Sequence, residues 1–191
     1  MNGPTKLTLL RILLIPFIIL FNYMDEPWYS WASLAVFLLA SITDWLDGYL
    51  ARKHNLVTTF GKLMDPLADK LLTLTAYLVI LERQMLDAWV VIFMIGREMG
   101  ITGLRAFLAA ERIVLAASKL GKWKMTFQII SLSLLFIGGK HHFFLVTGQW
   151  AAYVALFFSL FSAYFYVAHF WSRLGDKIMA EQFQSSEKEK K

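Results

Sequence analysis

No cysteine occurs in the 191 residues. That excludes a disulfide framework, a zinc–thiolate site and a cysteine nucleophile. Charge is scarce as well. Only 17% of residues are charged, against about a quarter in soluble globular chains. The strict alternation that a membrane β-barrel needs is missing. No small-x-small cleavage site follows the first apolar run, and Arg11 interrupts that run. The run is therefore expected to be a retained span, not a signal peptide. There is no internal repeat and no sign of a second domain.

What the chain has is apolar residues, 58% of the total, gathered in blocks. The blocks fall at Leu7–Tyr23, Tyr29–Tyr49, Pro66–Leu81, Met85–Leu108, Trp123–Gly138 and Gln149–Trp171. A bilayer core of about 30 Å needs roughly 20 apolar residues per helix. The pattern predicts an all-α integral membrane protein with six transmembrane helices. Lys and Arg gather on the cytoplasmic side of such proteins. With the N-terminus inside, only Arg83 and Lys140 of the 19 basic residues fall outside. Both termini are then cytoplasmic, and the longer basic loops make that the working face. Residues 1–180 read as one membrane domain. Residues 181–191 read as a polar tail, a frayed helix end or disordered.

Four aspartates stand at this inner face. Asp44 and Asp47 close the second block, three residues apart. Asp65 and Asp69 open the third, four apart. Each pair shares a helix face. The short loop between them predicts antiparallel neighbours whose acidic faces meet. An ionised Asp in mid-bilayer costs about 2.5–3.5 kcal/mol. Four together need counter-charge and water. Oxygen ligands alone suit a hard divalent cation, Mg²⁺ or Mn²⁺, and four carboxylates can serve two ions. Gly48, Ala51 and Gly61 leave room for a ligand near the backbone. Arg52 supplies a fork that matches phosphate oxygens. The set points to metal-bridged phosphate chemistry. The plainer reading makes Asp65 an N-cap with Pro66 at the first helical position, and pairs Asp69 with Lys70 or Lys62.

The series Asp44-x-x-Asp47-Gly48-x-x-Ala51-Arg52, eight residues, Gly61, three residues, Asp65, three residues, Asp69 resembles the signature of the CDP-alcohol phosphotransferases. "NGPTKLTLLR", "GREMGITGLRAF" and "SKLGKWKM" resemble segments of the branch that uses a glycerol phosphate acceptor. Two departures are Thr5, where that branch has Asn, and Met125, where it has Thr. The resemblance implies transfer of a phosphatidyl group from CDP-diacylglycerol to sn-glycerol 3-phosphate, releasing CMP. It implies that Asp44, Asp47 and Asp65 hold two divalent cations, with Asp69 at the edge of the second. Asp69 is also the implied general base. Asp44, Gly48, Ala51, Arg52 and Gly61 are the implied CDP-binding residues. It further implies a homodimer in a bacterial cytoplasmic (inner) membrane, multi-pass, with no nucleic-acid partner.

The acceptor's own phosphate needs cations. Candidates are Thr8, Arg11, Arg105 and Lys119. Arginine inside an apolar helix reads as functional, against the alternative of snorkelling to the interface. Lys122 and Lys124 read as a surface patch for anionic lipid. Glu98 shares a face with Arg105 and is expected to position an arginine. The Gly96–Gly100 step is expected to allow close helix contact inside the bundle. His141 and His142 read as surface residues. The fifth and sixth blocks, nearly free of polar groups, are expected to complete the bundle or form a dimer face. Trp28, Trp31, Trp123, Trp150 and Trp171 read as interfacial anchors.

Other readings use the same residues. Another alcohol acceptor, such as inositol phosphate or serine, would leave the signature intact. A divalent-cation transporter would need polar positions through to the outer face, and those halves are apolar. A scaffold would have no use for a metal-and-phosphate signature.

Overall fold

The computed structural model describes residues 3–24, 27–54, 59–110, 119–139 and 141–189. Six helices account for nearly all of them: α1 Gly3–Asn22, α2 Pro27–His54, α3 Thr59–Glu82, α4 Ala88–Ala110, α5 Lys119–Gly138 and α6 His142–Glu189. No strand occurs among the described residues.

Each apolar block became a helix, but the polar flanks joined in. Helix α3 begins at Thr59, so Asp65 and Pro66 lie inside it. The N-cap reading of Asp65 is therefore corrected. Pro66, the eighth residue of α3, lies past the first turn, so it removes the hydrogen bond to the carbonyl one turn back. Helix α5 begins at Lys119, so the basic "KLGKWK" stretch is helical, not loop. Helix α6 runs 48 residues, into the expected tail and up to Glu189. By length and composition, the stretch His142–Ala168 can cross a membrane, and Leu7–Asn22 is a shorter apolar helix.

Helix α1 packs on both α2 and α3 more extensively than those two pack on each other. This revises the expected α2–α3 pairing: α1 is the element that bridges them. Helix α5 pairs with α6, α2 reaches α5, and α4 rests on α6. The shared core includes Phe37, Leu72, Ile80, Val90, Met94, Leu135 and Phe136. Small residues let the helices close up. A Cβ on Gly148 would meet the Leu135 side chain at 2.9 Å, and one on Gly138 would meet the Leu145 backbone at 3.0 Å. Ser131 Oγ donates to Gly148 O across the same α5–α6 seam at 2.8 Å. Gly96, Gly100 and Gly103 of α4 have nothing within 4 Å of an added Cβ. Among the described residues, the close contact expected at the α4 glycines is not made, and a close seam occurs between α5 and α6.

The helix ends form two rims. At one, Arg83 donates to Asn22 O and Ser30 Oγ, tying the α3–α4 turn to the α1–α2 turn. Asn22 Nδ2 donates to Glu82 Oε2 at 2.8 Å, and Gln149 Nε2 donates to Met85 O at 2.8 Å. Gln84 takes a left-handed φ of 55° in the tight turn that follows α3. The acidic residues lie at the opposite rim.

Candidate functional site

The start of α1, the end of α2 and the start of α3 meet at that second rim. Arg11 is fully buried. Its Nη1 lies 2.8 Å from Asp44 Oδ1, and its Nε donates to Ala40 O at 3.3 Å, one turn earlier on α2. Neither Nη1 nor Nη2 makes a hydrogen bond among the described residues, so the contact with Asp44 is an ion pair. One turn before Arg11, buried Thr8 donates from Oγ1 to Asp65 Oδ1 at 2.5 Å. The two side chains of α1 thus hold one carboxylate on each neighbouring helix.

A cleft of about 270 Å³ opens beside these contacts. Asp44 and Asp69 stand on it from α2 and α3. Lys70, Arg97, Arg105 and Lys124 bring four positive charges to it. Three of the cations are tied in place. Lys124, on α5, is 4% exposed and ion-paired with Glu98 of α4. Lys70 donates to Thr102, and so does not form the plain pair with Asp69. Arg97 donates from Nε to Ser159 O at 2.9 Å, which anchors it to α6. Arg105 is exposed at the cleft edge. Opposed charges in one cleft suit a ligand that needs both cations and phosphate-binding groups.

The predicted residues separate into four groups. Asp44, Asp69 and Arg105 line the cleft. Asp65 lies beside it, in contact with Thr8. Thr8 and Arg11, expected at the acceptor, contact Asp65 and Asp44. Asp47, Gly48, Ala51 and Arg52 lie on the last turns of α2, Gly61 on the first turn of α3, and Lys119 at the start of α5. Their side chains lie outside the described residues. Among the described residues no three acidic or histidine side chains form a metal-binding group.

Lys124 was misplaced by the sequence reading. It is buried in the cleft, not a surface-patch residue. Its spacing to Gln128, one turn on and also buried in the cleft, was the available signal. Glu98 does position a cation, but a lysine and not an arginine. Met125, one of the two departures, lines the cleft too. His141 and His142 are exposed.

Comparison with known proteins adds to this geometry. The family described as CDP-alcohol phosphatidyltransferase matches residues 1–161. A Bacillus subtilis protein named CDP-diacylglycerol–glycerol-3-phosphate 3-phosphatidyltransferase is 41% identical over 188 residues, covering 91% of this chain and 97% of its own. A Rickettsia typhi protein of the same name is 38% identical over 86% of this chain and 94% of its own. An Escherichia coli K12 protein, again of that name, is 41% identical over 70% of this chain and 76% of its own.

Proposed function

The chain belongs to the CDP-alcohol phosphatidyltransferase family, and from that premise we propose that it moves the phosphatidyl group of CDP-diacylglycerol to sn-glycerol 3-phosphate and releases CMP. One observation carries the reading at the level of the site. Acids from α2 and α3 share a cleft with cations from α3, α4 and α5.

Both substrates are anionic, and the acceptor hydroxyl must lose a proton as it attacks. Asp69, in the cleft and not ion-paired among the described residues, is the proposed general base. The acceptor's phosphate is assigned to Arg105, Lys70 and Lys124, which line the same cleft as the acids. Lys119 remains with them on sequence grounds. Gly48, Ala51, Arg52 and Gly61, with Asp44, are the proposed CDP-binding residues.

The donor chemistry fits a hard divalent cation. The proposed ligands are carboxylates only, and a hydroxyl donor orients Asp65 while an ion pair with Arg11 orients Asp44. Asp44, Asp47, Asp65 and Asp69 would hold two ions, Mg²⁺ or Mn²⁺. Bound there, the ions would offset charge on the diphosphate and on departing CMP.

The reading includes six spans, both termini cytoplasmic and a bacterial inner-membrane location. Large apolar side chains stand exposed on every helix, among them Leu13, Leu39, Leu78, Ile92, Ile130 and Phe157. Water would penalise that surface, whereas lipid covers it. Residues 1–180 form the proposed membrane domain, followed by the polar segment 181–191. A homodimer completes the reading, with the open glycine face of α4 available to a second copy.

The test is CMP release by purified protein given CDP-diacylglycerol and Mg²⁺. Release that requires glycerol 3-phosphate is the expected result. Release only with inositol phosphate or serine would move the chain to another acceptor. No release with any alcohol, from folded protein, would sink the enzyme reading and send the question to cation flux.

A further inference from the structure

We propose that Thr8 and Arg11 are positioning residues that make Asp65 and Asp44 each meet a divalent cation through one oxygen. This rests on the metal-assisted reading above. The two side chains lie three residues apart on one face of α1, 1% and 0% exposed. Each reaches a different helix: Thr8 takes Asp65 Oδ1 on α3, and Arg11 takes Asp44 Oδ1 on α2. Arg11 is gripped twice by α2, since its Nε also donates to Ala40 O. Its guanidinium therefore cannot turn without breaking a second contact.

A carboxylate can chelate an ion with both oxygens or offer one. A donor seated on one oxygen disfavours chelation and fixes the direction in which the other points. Large Ca²⁺ accepts six to eight oxygens and uses two-oxygen carboxylates readily. Small six-coordinate Mg²⁺ demands near-octahedral single-oxygen ligands. The same two contacts thus set both the separation of Asp44 from Asp65 and the size of ion they suit. Partners of this kind typically change metal affinity about 10–100-fold when removed.

The experiment measures Mn²⁺ binding by electron paramagnetic resonance on the full-length protein in detergent, without lipid substrate. Ca²⁺ is the competitor. The proteins are the parent, Thr8→Val, Thr8→Ser and Arg11→Lys. Thr8→Val is expected to weaken Mn²⁺ about ten-fold and to narrow the preference over Ca²⁺. Thr8→Ser restores the hydroxyl and is expected to restore both. Arg11→Lys keeps the charge but loses the two-point grip, and is expected to move both readouts as Thr8→Val does. A thermal midpoint taken without metal reports folding separately. If Thr8→Val does not fold, Arg11→Lys decides. Parent-like Mn²⁺ affinity and Ca²⁺ competition in the folded variants would overturn the inference. If the parent still releases CMP with glycerol 3-phosphate, that result removes the inference alone. A parent that binds no Mn²⁺ removes the metal-assisted reading with it.

Discussion

The two walls of the cleft are built differently. On the acidic wall, Asp44 is held by a fully buried arginine. Asp65, just behind that wall, is held by a buried threonine. Both holders come from one face of α1. On the basic wall, each cation has its own arrangement. Lys124 is buried against Glu98, Lys70 reaches Thr102, and Arg105 extends at the edge. Asp44 and Asp65 are fixed by one third helix, whereas Lys124 and Lys70 are each tied to a separate partner on α4 and Arg105 is exposed. A metal-and-diphosphate site tolerates little positional error. A lysine ammonium acts as a point charge, and here Glu98 and Thr102 set where the two lysine charges stand.

Substitutions can test that contrast. Asp69→Asn should show the largest effect, a loss of about 10²–10⁴-fold in CMP release with the thermal midpoint retained. A smaller loss would mean that the proton leaves by another route. Lys124→Met comes next. It removes one charged contact of about 1.5–3 kcal/mol, so the KM for glycerol 3-phosphate should rise about 10–100-fold, with the KM for CDP-diacylglycerol little changed. Equal rises for both substrates would merge the two walls into one site. Thr102→Val should do least. It frees Lys70 from one neutral partner, worth about 0.5–1.5 kcal/mol, and should change the acceptor KM by less than about ten-fold.

The helices were legible because apolar blocks of this length have few alternatives in a chain so poor in charge. Their ends were not. Polar residues continue a helix when tertiary contacts or propensity support it, and hydropathy is blind to that. Lys124 shows the consequence. Read as loop it belongs to a basic patch, but five residues into α5 it turns inward toward Glu98. Thr8 and Arg11 show a second limit. Spacing says that they share a face, but only the packing of α1 on both α2 and α3 says what that face meets. The α4 glycines show a third. Small residues permit close approach without requiring it, and here the tight seam formed at Gly148.

The stitched rim has a mechanical consequence. Arg83, Asn22, Glu82 and Gln149 cross-link three chain segments at the end far from the cleft. The cleft end is stapled too, by Thr8 to Asp65, Arg11 to Asp44, Lys70 to Thr102 and Lys124 to Glu98. The bundle is thus pinned at both rims, and widening the cleft has to break one of those named contacts.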